Sequence, residues 1–217
     1  MSNIFSMDNL FFRTVGKIVD LIWLNVLALV FCLPVITAGA SFAAMYVVAL
    51  RMARNEEGGI TRGFLTAFKD NFKNATKVWA VVLVLAVIYV LDINLIYQGI
   101  LTGLGQYDIV IEVAVALVIF IIAMMLNYIF PLLARYDADL KTTIKNAGKL
   151  LIAFFPRSIC MPIIYLFPVA LMFLSDYWIP LWIFYGLSVP CYVCCMLLVR
   201  IFDRLDPKEA EEEEYES

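Results

Sequence analysis

The chain has 217 residues, 64% hydrophobic and 16% charged, with a mean hydropathy of +0.89, against roughly 45–50% and roughly 25% for soluble domains. A water-soluble fold of this size would leave too much apolar surface in contact with water, so the composition excludes that class and requires lipid. Net charge is −3, but the glutamates of "EAEEEEYES" at 209–217 supply it; the remainder is mildly basic, with no patch that suits nucleic acid beyond what a membrane boundary explains.

Histidine is absent, which removes the usual general base and metal ligand. The five cysteines, Cys32, Cys160, Cys191, Cys194 and Cys195, all lie in apolar runs with no carboxylate beside them to complete a zinc site. "CYVCC" therefore reads as buried small hydrophobes. No catalytic, cofactor-binding or metal constellation emerges, and the expectation is a protein that is not an enzyme and uses no cofactor.

In chain order, apolar segments long enough for a bilayer, about 20 residues each, stand at 78–98, 108–133, 150–174 and 178–201. The first apolar stretch, 18–50, would make a helix of about 50 Å, too long for one crossing. Pro34 and Gly39 in "LPVITAGAS" break it into an outgoing helix at 18–36 and a shorter one at 39–53, either a tilted span or a re-entrant hairpin. The expected fold is all-α: a polytopic transmembrane helical bundle of about six segments forming one domain over 1–205, followed by a disordered acidic tail at 206–217.

The cations order this bundle. Arg13 and Lys17 precede segment one. Arg51, Arg54, Arg62, Lys69, Lys73 and Lys77 separate segments two and three; Arg135, Lys141, Lys145, Lys149 and Arg157 flank the link from four to five; Arg200, Arg204 and Lys208 follow segment six. With six crossings all sixteen face one side, and the opposite links "VITAGA", "GILTGLGQYD" and "SDYW" hold none. The positive-inside rule makes that side cytoplasmic, with both termini inside. A five-crossing alternative puts Arg13 and Lys17 outside and breaks the segregation. A signal peptide cleaved at "TAGAS" has too long an apolar core.

The boundary repeats: "FRTVGK" at 12–17, "FKNATK" at 72–77 and "IKNAGK" at 144–149 each stand before an outgoing helix. Three parallel copies of an amphipathic lead-in plus helical hairpin would produce this, as would the limited vocabulary of juxtamembrane segments. In the second lead-in, Phe64, Phe68 and Phe72 form one helical stripe and Lys69, Lys73 and Lys77 another beside it. Such a helix lies in the membrane interface, rings toward the acyl boundary, or offers a cytoplasmic docking surface.

The polar residues inside apolar runs are the remaining candidates, because a charge buried there costs at least ~2.5 kcal/mol. Asp92 stands fifteen residues past Lys77, about 22 Å into its span, near Asn94; Glu112 lies toward the outer boundary. Asn25 and Asn127 are each eight residues from a cation, a depth of about 12 Å, and are expected to be able to meet across helices. In "GASFAA", Gly39/Ala43 and Ala40/Ala44 have the spacing that lets helices pack closely, within one chain or between two.

The run "LPVITAGAS…MYVVALRMARNEEGG…FLTAFKDNFKNATK" resembles the YesL-like family of bacterial membrane proteins, domain of unknown function 624. The shared pattern takes in Pro34, Val35, Ile36, Thr37, Gly39, Tyr46, Glu56, Glu57, Gly58, Phe64, Phe68, Lys69, Asn71, Phe72 and Lys73, strong over 8–80 and carried beyond by helix pattern alone. The resemblance implies a multi-pass protein of the bacterial cell membrane, often encoded beside carbohydrate-uptake genes, and names no catalytic residue. Two functions follow as expectations: an accessory or regulatory component of carbohydrate uptake, in contact with the lipid bilayer and with transporter subunits, or a small-solute transporter with a polar site near Asp92.

Overall fold

The computed structural model describes residues 2–56, 58–97, 106–136, 139–174, 177 and 179–205; the expected acidic tail at 206–217 lies outside them. Its elements are helices α1 (Ser2–Cys32), α2 (Ala38–Arg54), α3 (Ile60–Tyr97), α4 (Gln106–Arg135), α5 (Leu140–Ala153), α6 (Phe155–Leu174), α7 (Ile179–Tyr185) and α8 (Ser188–Leu205), with one 3-10 turn at Val35–Thr37. Among the described residues, five stretches are long and apolar enough to cross a membrane: Thr14–Cys32, Val35–Arg54, Ile60–Asn94, Glu112–Arg135 and Phe155–Leu174. The molecule is an all-α membrane bundle, as its composition requires.

Two expected spans have different limits. The segment expected at 178–201 is not one helix but α7 followed by α8. The break falls at Gly186, whose N–H bonds the Trp182 carbonyl at 2.7 Å. A Cβ at Gly186 would lie 2.6 Å from Trp182 Cδ1, so the tight turn depends on glycine. The segment expected at 150–174 begins instead at Phe155, because α5 ends at Ala153 and Phe154 leaves helical geometry at φ −119°. Pro156 then sits in the first turn of α6, where a missing N–H costs nothing.

The α1–α2 hairpin has a definite depth. Gly39 packs where a side chain would meet Trp79 and, at 2.7 Å, the Ala75 carbonyl. At the other end of α2, Arg51 and Val48 approach Gly63. Helix α2 therefore runs antiparallel along the first half of α3. The hairpin turn is tied there by Trp79, whose indole N–H donates to the Val35 carbonyl at 2.7 Å. Trp79 lies eighteen residues before the end of α3 at Tyr97, so the hairpin stops about 27 Å short of it.

The cations of the second lead-in are spread along one helix. The lead-in 72–77 is continuous with its span in a 38-residue helix of about 57 Å. Arg62 to Lys77 consequently occupy about 22 Å of helix. The three repeated hexapeptides are all helical, within α1, α3 and α5, yet only the third forms a lead-in helix separate from its span.

Small residues make α2 the centre of the bundle. Ala38, Gly39, Ala40, Ser41, Ala43 and Ala44 are all buried, and the Ser41 hydroxyl donates to the Ala28 carbonyl of α1 at 2.9 Å. Close approach inside one chain thus accounts for the small-residue spacing. The basic end is gathered by polar contacts: Lys17 Nζ donates to Asn55 Oδ1 at 2.6 Å, Trp23 Nε1 to Thr61 Oγ1 at 2.7 Å, and Arg54 lies 3.5 Å from Asp203.

Candidate functional site

Helices α2, α3, α4, α6 and α7 line an open cavity of about 520 Å³ in the apolar part of the bundle. Its wall is aromatic: Phe42 and Tyr46 from α2, Trp79 and Tyr89 from α3, Phe120 and Phe130 from α4, and Tyr165 and Trp182 from α6 and α7. Phe130 stacks near Phe42 and Tyr46, with ring centroids 6.2 Å and 6.5 Å apart. Pro162 of α6 also lines it; a proline inside a membrane helix is tolerated where neighbours cover the freed carbonyl.

One end of the cavity is polar. The Tyr165 hydroxyl donates to the Tyr46 hydroxyl at 3.0 Å, which donates to Asn127 Oδ1 at 2.9 Å. Asn127 in turn donates Nδ2 to the Ala123 carbonyl at 2.8 Å, which fixes its orientation. Trp182, elsewhere on the wall, has a buried indole N–H with no hydrogen-bond partner among the described residues. Such a group costs free energy unless something accepts from it. No carboxylate, lysine or arginine lines the cavity among the described residues.

The expected polar site does not assemble as one. Asn127 lines the cavity, whereas Asp92, half-buried on α3, Asn94, exposed and bonded to the Val90 carbonyl at 2.7 Å, and Glu112, exposed on α4, stand outside it. Asn25 and Asn127 do not meet. Asn25, fully buried, donates to the Ile183 carbonyl at 2.6 Å and accepts from the N–H groups of Leu187 and Ser188 at 2.9 and 2.8 Å. It caps the start of α8 from a different helix, a structural task.

The phenylalanine stripe is also corrected. Phe64 is fully buried, with Phe31 at 5.5 Å and Phe68 at 6.3 Å between ring centroids, and Phe68 lies 4.8 Å from Phe31. These rings face α1, not acyl chains. Only Phe72, 40% exposed, stands at the surface, and Lys69, Lys73 and Lys77 are exposed on the other face.

At the basic end a second cavity of about 490 Å³ opens between α2, α3 and α4, lined by Arg51, Thr66, Asp70, Asn71, Asn74 and Arg135 among others. Sequence reasoning assigned no role to Tyr46, Tyr165, Trp182 or this polar group. Tyr46 and Asn71 were visible as members of the shared pattern, but nothing local joins Tyr46 to Asn127, 81 positions away.

The model of the family described as "Protein of unknown function, DUF624" matches residues 21–93. Over that stretch the chain is similar to the DUF624 family. The matched stretch holds the last part of α1, all of α2 and most of α3, hence Phe42, Tyr46, Trp79 and Tyr89 of the first cavity and five of the six polar side chains named for the second. No curated protein and no solved structure is detectably similar to the chain.

Proposed function

We propose that this protein is a non-enzymatic component of the bacterial cell membrane that binds an uncharged amphiphile in the aromatic cavity and serves as an accessory or regulatory subunit of a carbohydrate-uptake system. The observation that carries the binding role is the Tyr165–Tyr46–Asn127 chain at one end of an otherwise aromatic cavity. Ligand sites take this form: an apolar wall for the body of the molecule and a few fixed polar groups for its head. The wall's lack of carboxylates and cations favours an uncharged head.

The accessory role draws on the position of Tyr46. It shares α2 with Arg51 and Arg54, so a ligand touching Tyr46 touches the helix that ends at the basic face. The positive-inside rule orients that face, with both ends of the chain, toward the cytoplasm. The link to carbohydrate uptake comes from the resemblance over 8–80 and supplies the partner to look for. A transporter acting through Asp92 has less support, since Asp92, Asn94 and Glu112 stand outside the cavity wall.

The test is crosslinking in native membranes, purification in mild detergent, and mass spectrometry of both lipid and protein. The expected result is a retained amphiphile, depleted in Tyr165→Phe and Asn127→Leu, together with crosslinked subunits of an uptake system. A wild-type chain recovered alone, with nothing in the cavity, would overturn the proposal.

A further inference from the structure

The first half of α3 carries a stripe of cations that the packed helices do not answer. At 3.6 residues per turn, Arg62, Lys69, Lys73 and Lys77 fall within about 80° of the helix circumference. All four are exposed. They point away from α2, which meets α3 at Gly63, Ala75 and Trp79. Among the described residues no carboxylate pairs with any of them; the Arg54–Asp203 contact, at 3.5 Å, lies elsewhere. Asp70 is the one carboxylate in 60–77, so four cations less one anion leave a net charge of +3 on this half-helix. Cations in contact with acyl chains are costly. The stripe therefore meets water, headgroups or a partner of opposite sign.

The chain holds a segment of that sign. Residues 206–217, "DPKEAEEEEYES", carry six glutamates and one aspartate against one lysine, a net charge of −6. They follow α8, and α8 ends beside the foot of α3. Asp203 lies 3.5 Å from Arg54, and Arg51, one turn back on α2, reaches over Gly63. Two side-chain contacts and one helical turn thus separate the end of α8 from Arg62. Lys69 and Lys73 stand about 11 and 17 Å further along the axis. Twelve residues extend to about 40 Å, which lets Glu211 to Glu214 reach both lysines. Exposed ion pairs are individually weak. Four adjacent glutamates on a short tether act together, because the tether keeps their local concentration high.

We propose that the acidic segment 209–216 of this chain docks on the Arg62–Lys69–Lys73 stripe of α3, a salt-sensitive contact within one molecule. Docked, it withholds the stripe from anionic lipid and from acidic partners. The stripe is no part of the aromatic cavity, so this proposal stands or falls apart from the amphiphile.

The experiment uses the full chain, one copy per phosphatidylcholine nanodisc. Mass spectrometry reads how fast each lysine is acylated by a water-soluble N-hydroxysuccinimide ester. Lys141 and Lys145, exposed on α5, are the internal references. Lys69 and Lys73 are expected to react several-fold more slowly than these. Glu211→Gln, Glu212→Gln, Glu213→Gln and Glu214→Gln together should abolish the difference, as should about 1 M salt, where the screening length is about 3 Å. These substitutions alter no residue of the described helices, so the references should keep their rates. Equal rates at the stripe and the references in the wild-type chain overturn the proposal. So does protection that persists in the Gln variant. Protection confined to discs containing phosphatidylglycerol gives the stripe to lipid headgroups, and protection confined to discs holding two copies gives it to a second chain; either result also overturns the proposal.

Discussion

Trp79 donates its indole N–H to the carbonyl of Val35 at 2.7 Å, and this bond ties the tip of the α1–α2 hairpin to the middle of α3. The Gly39 contact lies directly beneath it. Gly39→Val should therefore destabilise the protein by about 1–3 kcal/mol, the usual cost of overpacking. Trp79→Ala in the same chain should return little of that loss, because a Cβ at Gly39 first meets Trp79 Cβ, which alanine keeps, and the Ala75 carbonyl at 2.7 Å. Unfolding in detergent, measured as a double-mutant cycle, checks this; recovery of most of the Gly39→Val loss in the double variant would contradict the contact.

The phenylalanine stripe gives a contrast within one helix. Phe64→Ala should cost about 3–5 kcal/mol, since a fully buried ring leaves a cavity among Phe31, Phe68 and their neighbours. Phe72→Ala should cost less than about 1 kcal/mol, as expected for a surface position. Equal melting-temperature losses in the two variants would restore the lipid-facing arrangement.

Asn25 holds the α7–α8 junction through three hydrogen bonds. Asn25→Leu preserves approximate volume but leaves the Leu187 and Ser188 N–H groups unpaired, a loss of about 1–3 kcal/mol. Hydrogen exchange should accelerate at 186–189 before it does so elsewhere. Unchanged exchange there would remove the capping role.

Cavity and intramembrane carboxylates separate cleanly in their effects on ligand. Tyr46→Phe deletes the central donor of the hydroxyl chain and should reduce amphiphile retention several-fold, while its stability cost stays near the ~0.6 kcal/mol average for such bonds in membranes. Asp92→Asn should leave retention unchanged, because Asp92 is outside the cavity wall. Loss of retention in Asp92→Asn with none in Tyr46→Phe would reverse the assignment.

Orientation is open to labelling. In a chain whose native cysteines are replaced, Asn55→Cys and Asp203→Cys should react with an impermeant thiol reagent in inverted vesicles and not in intact cells. Both positions lie at the basic end, through the Lys17–Asn55 and Arg54–Asp203 contacts. Labelling of either from outside would invert the topology.

How far the sequence reaches follows from what it encodes locally. Composition with apolar runs of about 20 residues settles a helical membrane protein, because so much apolar surface has no soluble solution and a strand of a closed barrel needs only about ten residues to cross. Pro34 and Gly39 place the hairpin break, and the cation runs mark one end of the bundle. The sequence pattern could not say which face of a helix meets protein and which meets lipid. In water an apolar stripe means core, but acyl chains are as apolar as leucine, so Phe64 and Phe68 look the same whether they face α1 or the bilayer. Packing decides that, and packing depends on shape: the missing side chain at Gly39, the reach of Trp79, the break at Gly186. The joining of Tyr46, Tyr165 and Asn127 likewise exists only once α2, α4 and α6 have closed around one space.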